Sequence, residues 1–179
     1  MVHYRVPGDN SCLYHSIGAA LMRTNPSTQM VASLKQTIAD EILAHPKEWT
    51  SAMLGMSPQT YIATMQQQSF WGGAIEISIL SSKYEIEICV VDYGQLNLTT
   101  FAHYPEDAKN KDELYKRRIF LFYDSSSTTS SHYDLLVYTP DAARASALSS
   151  MQASNAEETT TSFDSHLQSI FRPSDKGVT

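Results

Sequence analysis

The chain has 179 residues, of which 42% are hydrophobic, 10% aromatic and 18% charged. A composition of this kind and length can bury a core without disulfides or a structural metal, which excludes a disordered, fibrous or disulfide-framework protein. Thirteen Lys and Arg against nineteen Asp and Glu leave a formal net charge of -6, so a general nucleic-acid binder, which needs a basic face, is disfavoured.

Val2 to Val6 alternate apolar with polar, and Pro7-Gly8-Asp9-Asn10 then turns the chain, so a short strand or extended arm opens the sequence. Asn10 or Ser11 can cap a helix that carries Cys12 in its first turn, followed by Leu13, Ile17, Ala20 and Leu21. Ser27 to His45 reads as a second helix with Ser27 as N-cap and one stripe of Val31, Leu34, Ile38, Ile42 and Leu43, stopped by Pro46. Ser57-Pro58 opens a third helix through Tyr61, Ile62 and Met65. Ser69 to Gly73 is a loop, and Ala74 to Tyr84 is helical again.

The pattern then changes. Ile86 to Val91 is a buried strand, Asp92-Tyr93-Gly94 a turn and Leu96 to Phe101 a second strand. His103 to Lys116 is a polar loop or short helix. Arg117 to Tyr123 and His132 to Tyr138 are two further strands, joined by a Ser/Thr loop. Helices first and strands later predict an α+β fold. The domain is expected over residues 1–140. Residues 141–179 are rich in Ser, Thr and Ala and read as a C-terminal helix or flexible tail, with Phe163, Leu167, Ile170 and Phe171 as a surface-packed or docking cluster.

Two cysteines, Cys12 and Cys89, and no CxxC or HxxxH pair leave no metal site in view. No apolar run approaches the ~18 residues of a membrane span, and the N-terminus lacks a signal peptide's apolar stretch. The expectation is a cytoplasmic or nuclear protein, monomeric, with no cofactor, no metal, no nucleic-acid partner and no membrane partner.

Cys12 is either a small buried hydrophobe or a nucleophile. Its place at a helix N-terminus favours a thiolate, and the turn before it can aim backbone N–H groups at an oxyanion. Cys89, inside Ile-Cys-Val-Val, reads as core. Among the six histidines, His3 lies near the terminus, and His15 faces solvent or packs on the sheet. His45 ends a helix, His103 lies in a polar loop and His166 in the tail. His132 begins a strand, and Asp134, two residues on, shares its face, so the carboxylate can hold the imidazole in one tautomer.

Taken together, four blocks carry a resemblance. Val6 to Ile17 (VPGDNSCLYHSI) resembles the catalytic cysteine segment of the ovarian-tumour (OTU) family of cysteine proteases. Trp71 to Leu80 resembles that family's loop and following helix, Ile86 to Asp92 its next strand, and Phe120 to Asp124 with His132 to Asp134 its histidine region. The blocks occur in family order, and their wording is most similar to the Otu1/YOD1 branch. The resemblance implies a papain-like OTU fold, a central, mostly antiparallel sheet of about four to five strands flanked by helices. It implies a cofactor-free deubiquitinase that hydrolyses the bond after ubiquitin's C-terminal glycine. Cys12 is then the nucleophile and His132 the general base. The third member is Asp134, Asp9 or Ser130, with Asp134 favoured and Asp9 counted among the catalytic residues. The N–H groups of Cys12 and of Asp9 or Asn10 would face the oxyanion.

Ubiquitin's thin two-glycine tail needs a narrow channel. Trp71, Gly72 and Gly73 suit one wall, although Trp71 reads equally well as core. Ser130 and Ser131, before the histidine, complete the expected substrate-binding set. The Ser/Thr loop is longer than the Tyr-Asp-Gly-Ile-His common in the family. The alternatives are a non-catalytic OTU-fold ubiquitin-binding module and a protease for another ubiquitin-like modifier.

Overall fold

The computed structural model describes residues 1–102, 117–126 and 131–137. The expectations for 103–116, for Ser130 and for the 141–179 segment fall outside these residues. The chain divides into two units, His3–Val137 and Met1–Val2 with 138–179. The first carries the site.

Strand β1 (Val2–Tyr4) opens the chain. It is shorter than the alternation to Val6 predicts, because the Val6 N–H donates to the Asp134 carboxylate, 2.9 Å away, rather than extending a strand ladder. Asn10 turns the chain in the left-handed region (φ 63°), and the Asp9 carboxylate accepts the Ser11 N–H at 3.1 Å. Helix α1 (Cys12–Met22) follows at once. Every residue from Cys12 to Ala19 is buried, so α1 is a core helix, not one with a solvated face.

Helix α2 (Thr28–Ala44) is capped by the Ser27 hydroxyl, which accepts from the Met30 N–H at 3.2 Å. Its Val31, Leu34, Ile38 and Ile42 stripe is buried as expected, but Leu43 is 56% exposed and does not belong to it. A short α3 (Ser51–Leu54), capped by Thr50, is an addition to the expected elements. Helix α4 (Pro58–Met65) begins on Ser57, which accepts from the Thr60 N–H. Helix α5 (Ala74–Tyr84) starts after Gly73.

Strands β2 (Glu87–Asp92), β3 (Asn97–Phe101), β4 (Arg118–Asp124) and β5 (His132–Val137) complete a five-stranded sheet in the order β1-β5-β4-β2-β3. β2 pairs antiparallel with β3 (Cys89 opposite Thr100), and β4 pairs antiparallel with β5 (Asp124 opposite His132). β2 and β4 run parallel, with Val90 opposite Leu121, so the sheet is mixed. The antiparallel β3 returns the chain to the end where β2 begins, with Phe101 opposite Ile88, so β4, which starts at that end with Arg118 opposite Glu87, runs parallel to β2. β2 is buried from Glu87 to Val91, as a strand covered on both faces should be, whereas the edge strand β3 is exposed. Leu13, Tyr14 and Ile17 of α1, Leu34, Ile38 and Ile42 of α2, Ile77 and Leu80 of α5, and Ile86 and Ile88 form the fully buried core. No helix among the described residues is long and apolar enough to cross a membrane.

Candidate active site

Cys12 is the first residue of α1 and is 2% exposed. Burial pushes its thiol pKa up, and the charge of Asp134 adds to that rise. The main-chain N–H of Tyr133, the Trp71 side chain and the N–H of Leu13 hydrogen-bond the sulfur and pull the other way. The net result is a neutral resting thiol, which needs a base before it can attack.

Tyr133 lies between His132 and Asp134 on β5, so the sulfur rests against the strand that carries the imidazole. His132 Nδ1 is 3.4 Å from Asp134 Oδ1. The bond from Asp134 raises the pKa of His132 against the opposing effect of burial. The Pro7 carbonyl also raises it and Arg5 lowers it. The ring packs on the turn before the cysteine: a methyl group added at Gly8 would be 3.6 Å from His132 Nε2. Asp134 is 7% exposed. Burial alone would raise its pKa, but three donors, His132, His3 and the Val6 N–H, hold the carboxyl well below the usual range. The His3 bond is the shortest, Nε2 to Oδ2 at 2.8 Å.

Asp9 is placed differently. Its carboxylate, 43% exposed, accepts from the Ser11 N–H and lies 3.0 Å from His15 Nε2. It shapes the turn ahead of Cys12, and its partners are those two groups rather than the His132 ring. His15 is 3% exposed and tied to Asp9, so it does not face solvent. Asn10, with its left-handed φ, redirects the chain so that Cys12 enters the helix with the first-turn N–H groups open, as helix geometry leaves them. Ser131, half-buried, precedes the histidine strand. Cys89 is core as expected, but its sulfur has a polar neighbour, Thr100 Oγ1 at 3.6 Å.

Trp71 is partly buried and packs against the core, as one of its two readings expects. Its ring stacks on Tyr133 (centroids 5.1 Å, 24°) and leans on Tyr123 (5.9 Å), while its side chain reaches the thiol. Gly72 allows a close approach. A Cβ there would be 2.9 Å from Leu13 Cδ2 and 3.0 Å from Tyr14 Oη. Gly73 donates its N–H to Glu76 Oε2 at 2.8 Å. Glu76, 1% exposed, also accepts the Tyr61 hydroxyl. The loop beside the thiol is thus fastened to α4 and α5 by a carboxylate that the sequence reading passed over. Its signal was present: a glutamate three residues after the N-cap reaches back to the cap's N–H.

A cleft of about 190 Å³ opens beside Tyr133, between α5 and the sheet, with Ala74, Ile77, Asp92, Asn97 and Tyr123 among its walls. Among the described residues no group of three or more His, Cys, Asp or Glu could hold a metal ion.

A buried thiol at a helix N-terminus thus lies against a strand that presents an imidazole backed by a carboxylate, on an α+β fold. The chain belongs to the family of OTU-like cysteine proteases, whose model matches residues 7–133. It is similar to the ubiquitin thioesterase Otu1 of Drosophila melanogaster, 38% identical over 133 residues, which covers 73% of this chain and 34% of that protein. The human ubiquitin thioesterase OTU1 is 36% identical over 131 residues, again 73% of this chain and 34% of the relative. The chain spans about a third of the length of these curated relatives. Among solved structures, an OTU domain in complex with ubiquitin aligns over 74% of this chain and 67% of its own, with a TM-score of 0.60 and 26% identity. An OTU deubiquitinase from Wolbachia pipientis shares the fold at 15% identity, covering 83% of this chain and 95% of its own with a TM-score of 0.60.

Proposed function

We propose that the chain is a thiol-dependent deubiquitinase that hydrolyses the bond after the C-terminal glycine of ubiquitin. One observation carries the reading: the Cys12 sulfur is held against the main chain of Tyr133, the residue between His132 and Asp134. His132 takes the Cys12 proton, and the sulfur attacks the glycine carbonyl. The N–H groups at the start of α1 receive the oxyanion, each well-placed donor contributing roughly 3 kcal/mol. The imidazolium then protonates the departing lysine amine, and water hydrolyses the thioester. Asp134 is the third member, because it meets the ring, and Asp9 holds the turn. The similarity to ubiquitin thioesterases and to a ubiquitin-bound OTU domain supports this substrate.

A second reading, an OTU fold that binds ubiquitin without cleaving it, draws on the Pro7 carbonyl, which accepts from the His132 ring. Ubiquitin carrying a C-terminal electrophile separates the two. The wild type should form the adduct and cleave diubiquitin, and Cys12→Ala should do neither while still binding ubiquitin. Adduct-free wild type that binds ubiquitin would establish the second reading. Adducts with another modifier alone would redirect the substrate.

A further inference from the structure

We infer that His3 is a positioning residue for the reaction: it clamps the far oxygen of Asp134 and so fixes the His132 imidazole. The inference rests on the Cys12, His132 and Asp134 reading above and extends it to a residue outside the matched span 7–133.

Asp134 is an acceptor only, so each nitrogen that meets it must bring a proton. His3 Nε2 lies 2.8 Å from Oδ2, and the Val6 N–H lies 2.9 Å from Oδ1. The contact to His132, at 3.4 Å on Oδ1, is the loosest of the three. The N-terminal arm therefore orients the carboxylate, and His132 receives an acceptor already fixed in direction. The His3 ring is itself held. It lies 5.0 Å from the Phe122 ring on β4, the residue that pairs with Asp134 across the sheet. The arm then runs through Val6 and Pro7 to Cys12, so a single segment places the carboxylate and delivers the thiol. The charged and titratable groups around the carboxylate are His3 from β1, His132 from β5, Cys12 from α1, whose thiol feels the Asp134 charge, and Arg5, which acts on His132.

The test compares full-length wild type with His3→Ala, His3→Gln, Asp134→Asn and the His3→Ala/Asp134→Asn double variant on a fluorogenic ubiquitin substrate. Gln keeps a donor at the reach of Nε2. The expected result is a kcat about tenfold lower for His3→Ala with KM within about twofold, the low end of the loss found when an outer partner that orients a metal-bound histidine is removed. His3→Gln should recover most of the loss. In the Asp134→Asn background, His3→Ala should cost nothing further, because the carboxylate it orients is already gone. Wild-type kcat in His3→Ala overturns the inference, and so does an additive loss in the double variant. If His3→Ala does not fold, the Gln variant decides: kcat more than about threefold below wild type overturns it. Full activity of Asp134→Asn or of His132→Ala would instead remove the underlying triad, an outcome distinct from a failure at His3 alone.

Discussion

The hydroxyl of Ser16 donates to the main-chain carbonyl of Tyr133 at 3.4 Å, while the N–H of that same residue reaches the Cys12 thiol. Helix α1 is thereby keyed to strand β5 one position beyond His132. Residues some 120 apart in sequence are thus registered by two short side chains of α1 on one main-chain unit of β5, which cannot drift as a pair of long side chains could.

The first consequence concerns the base. His132→Ala should lower kcat by about 10³-fold, within the range for loss of a positioned general base. The neutral Cys12 thiol has then lost its proton acceptor. Single-turnover hydrolysis of a ubiquitin thioester or amide substrate measures it, and a loss under about tenfold would assign the base elsewhere.

The pH dependence follows from the His132 shift. Its pKa is raised above the ordinary 6.5, chiefly by Asp134, and the free base is the form the proposed mechanism uses. The rate should therefore rise with pH through a midpoint above 6.5. Asp134→Asn removes the raising partner, and the midpoint of the residual activity should fall. A kcat/KM profile across neutral pH, flat or with its midpoint below 6.5 in the wild type, would contradict the assignment.

Stability has its own window. The folded-state pKa of Asp134 lies below the ordinary 3.8, so its contribution is present above about pH 4 and is lost as pH falls below that. Thermal melts should show a steeper acid loss in wild type than in Asp134→Asn, and identical slopes would refute it.

Gly72→Ala should destabilise the fold by roughly 1–3 kcal/mol, because the new methyl meets Leu13 and Tyr14 inside a filled core. It should also reduce kcat, since the displaced loop carries Trp71 away from the thiol and Tyr133. Denaturant unfolding and steady-state rates on one sample check both; unchanged stability with unchanged rate rejects the close-approach argument.

Glu76→Leu should cost about 1–3 kcal/mol for each donor it strands, the Gly73 N–H and the Tyr61 hydroxyl. Glu76→Gln, which keeps acceptor capacity, should cost less. Chemical denaturation ranks the two, and equal losses would mean that the carboxylate's charge, not its hydrogen bonds, matters.

Several features were legible locally. The helix that starts at Cys12, the Ser27 and Ser57 caps, the strands around Cys89 and Leu121, and the His132-Asp134 pair all follow from spacing, capping chemistry and strand alternation within a few residues. The order of the blocks carried the family. Sequence patterns of this range say nothing about partners over a hundred positions away, and there the reading fell short. His3 looked like a terminal residue, yet it holds Asp134, 131 positions on. A near partner was missed as well: His15 looked incidental, yet it is buried and meets Asp9, six positions back. Leu43 fits the α2 stripe by period, but the apolar face of α2 is decided by what packs on it, and nothing buries that position.

The amino-acid sequence by itself singled out the candidate groups, a thiol at a helix start and an imidazole with a carboxylate at a strand start, because those choices rest on residue type and near neighbours. Only the tertiary structure decided how they meet. It set β2 parallel to β4, laid α1 along β5, and turned the N-terminal arm onto Asp134, since burial and long-range hydrogen bonding depend on what the rest of the chain brings alongside.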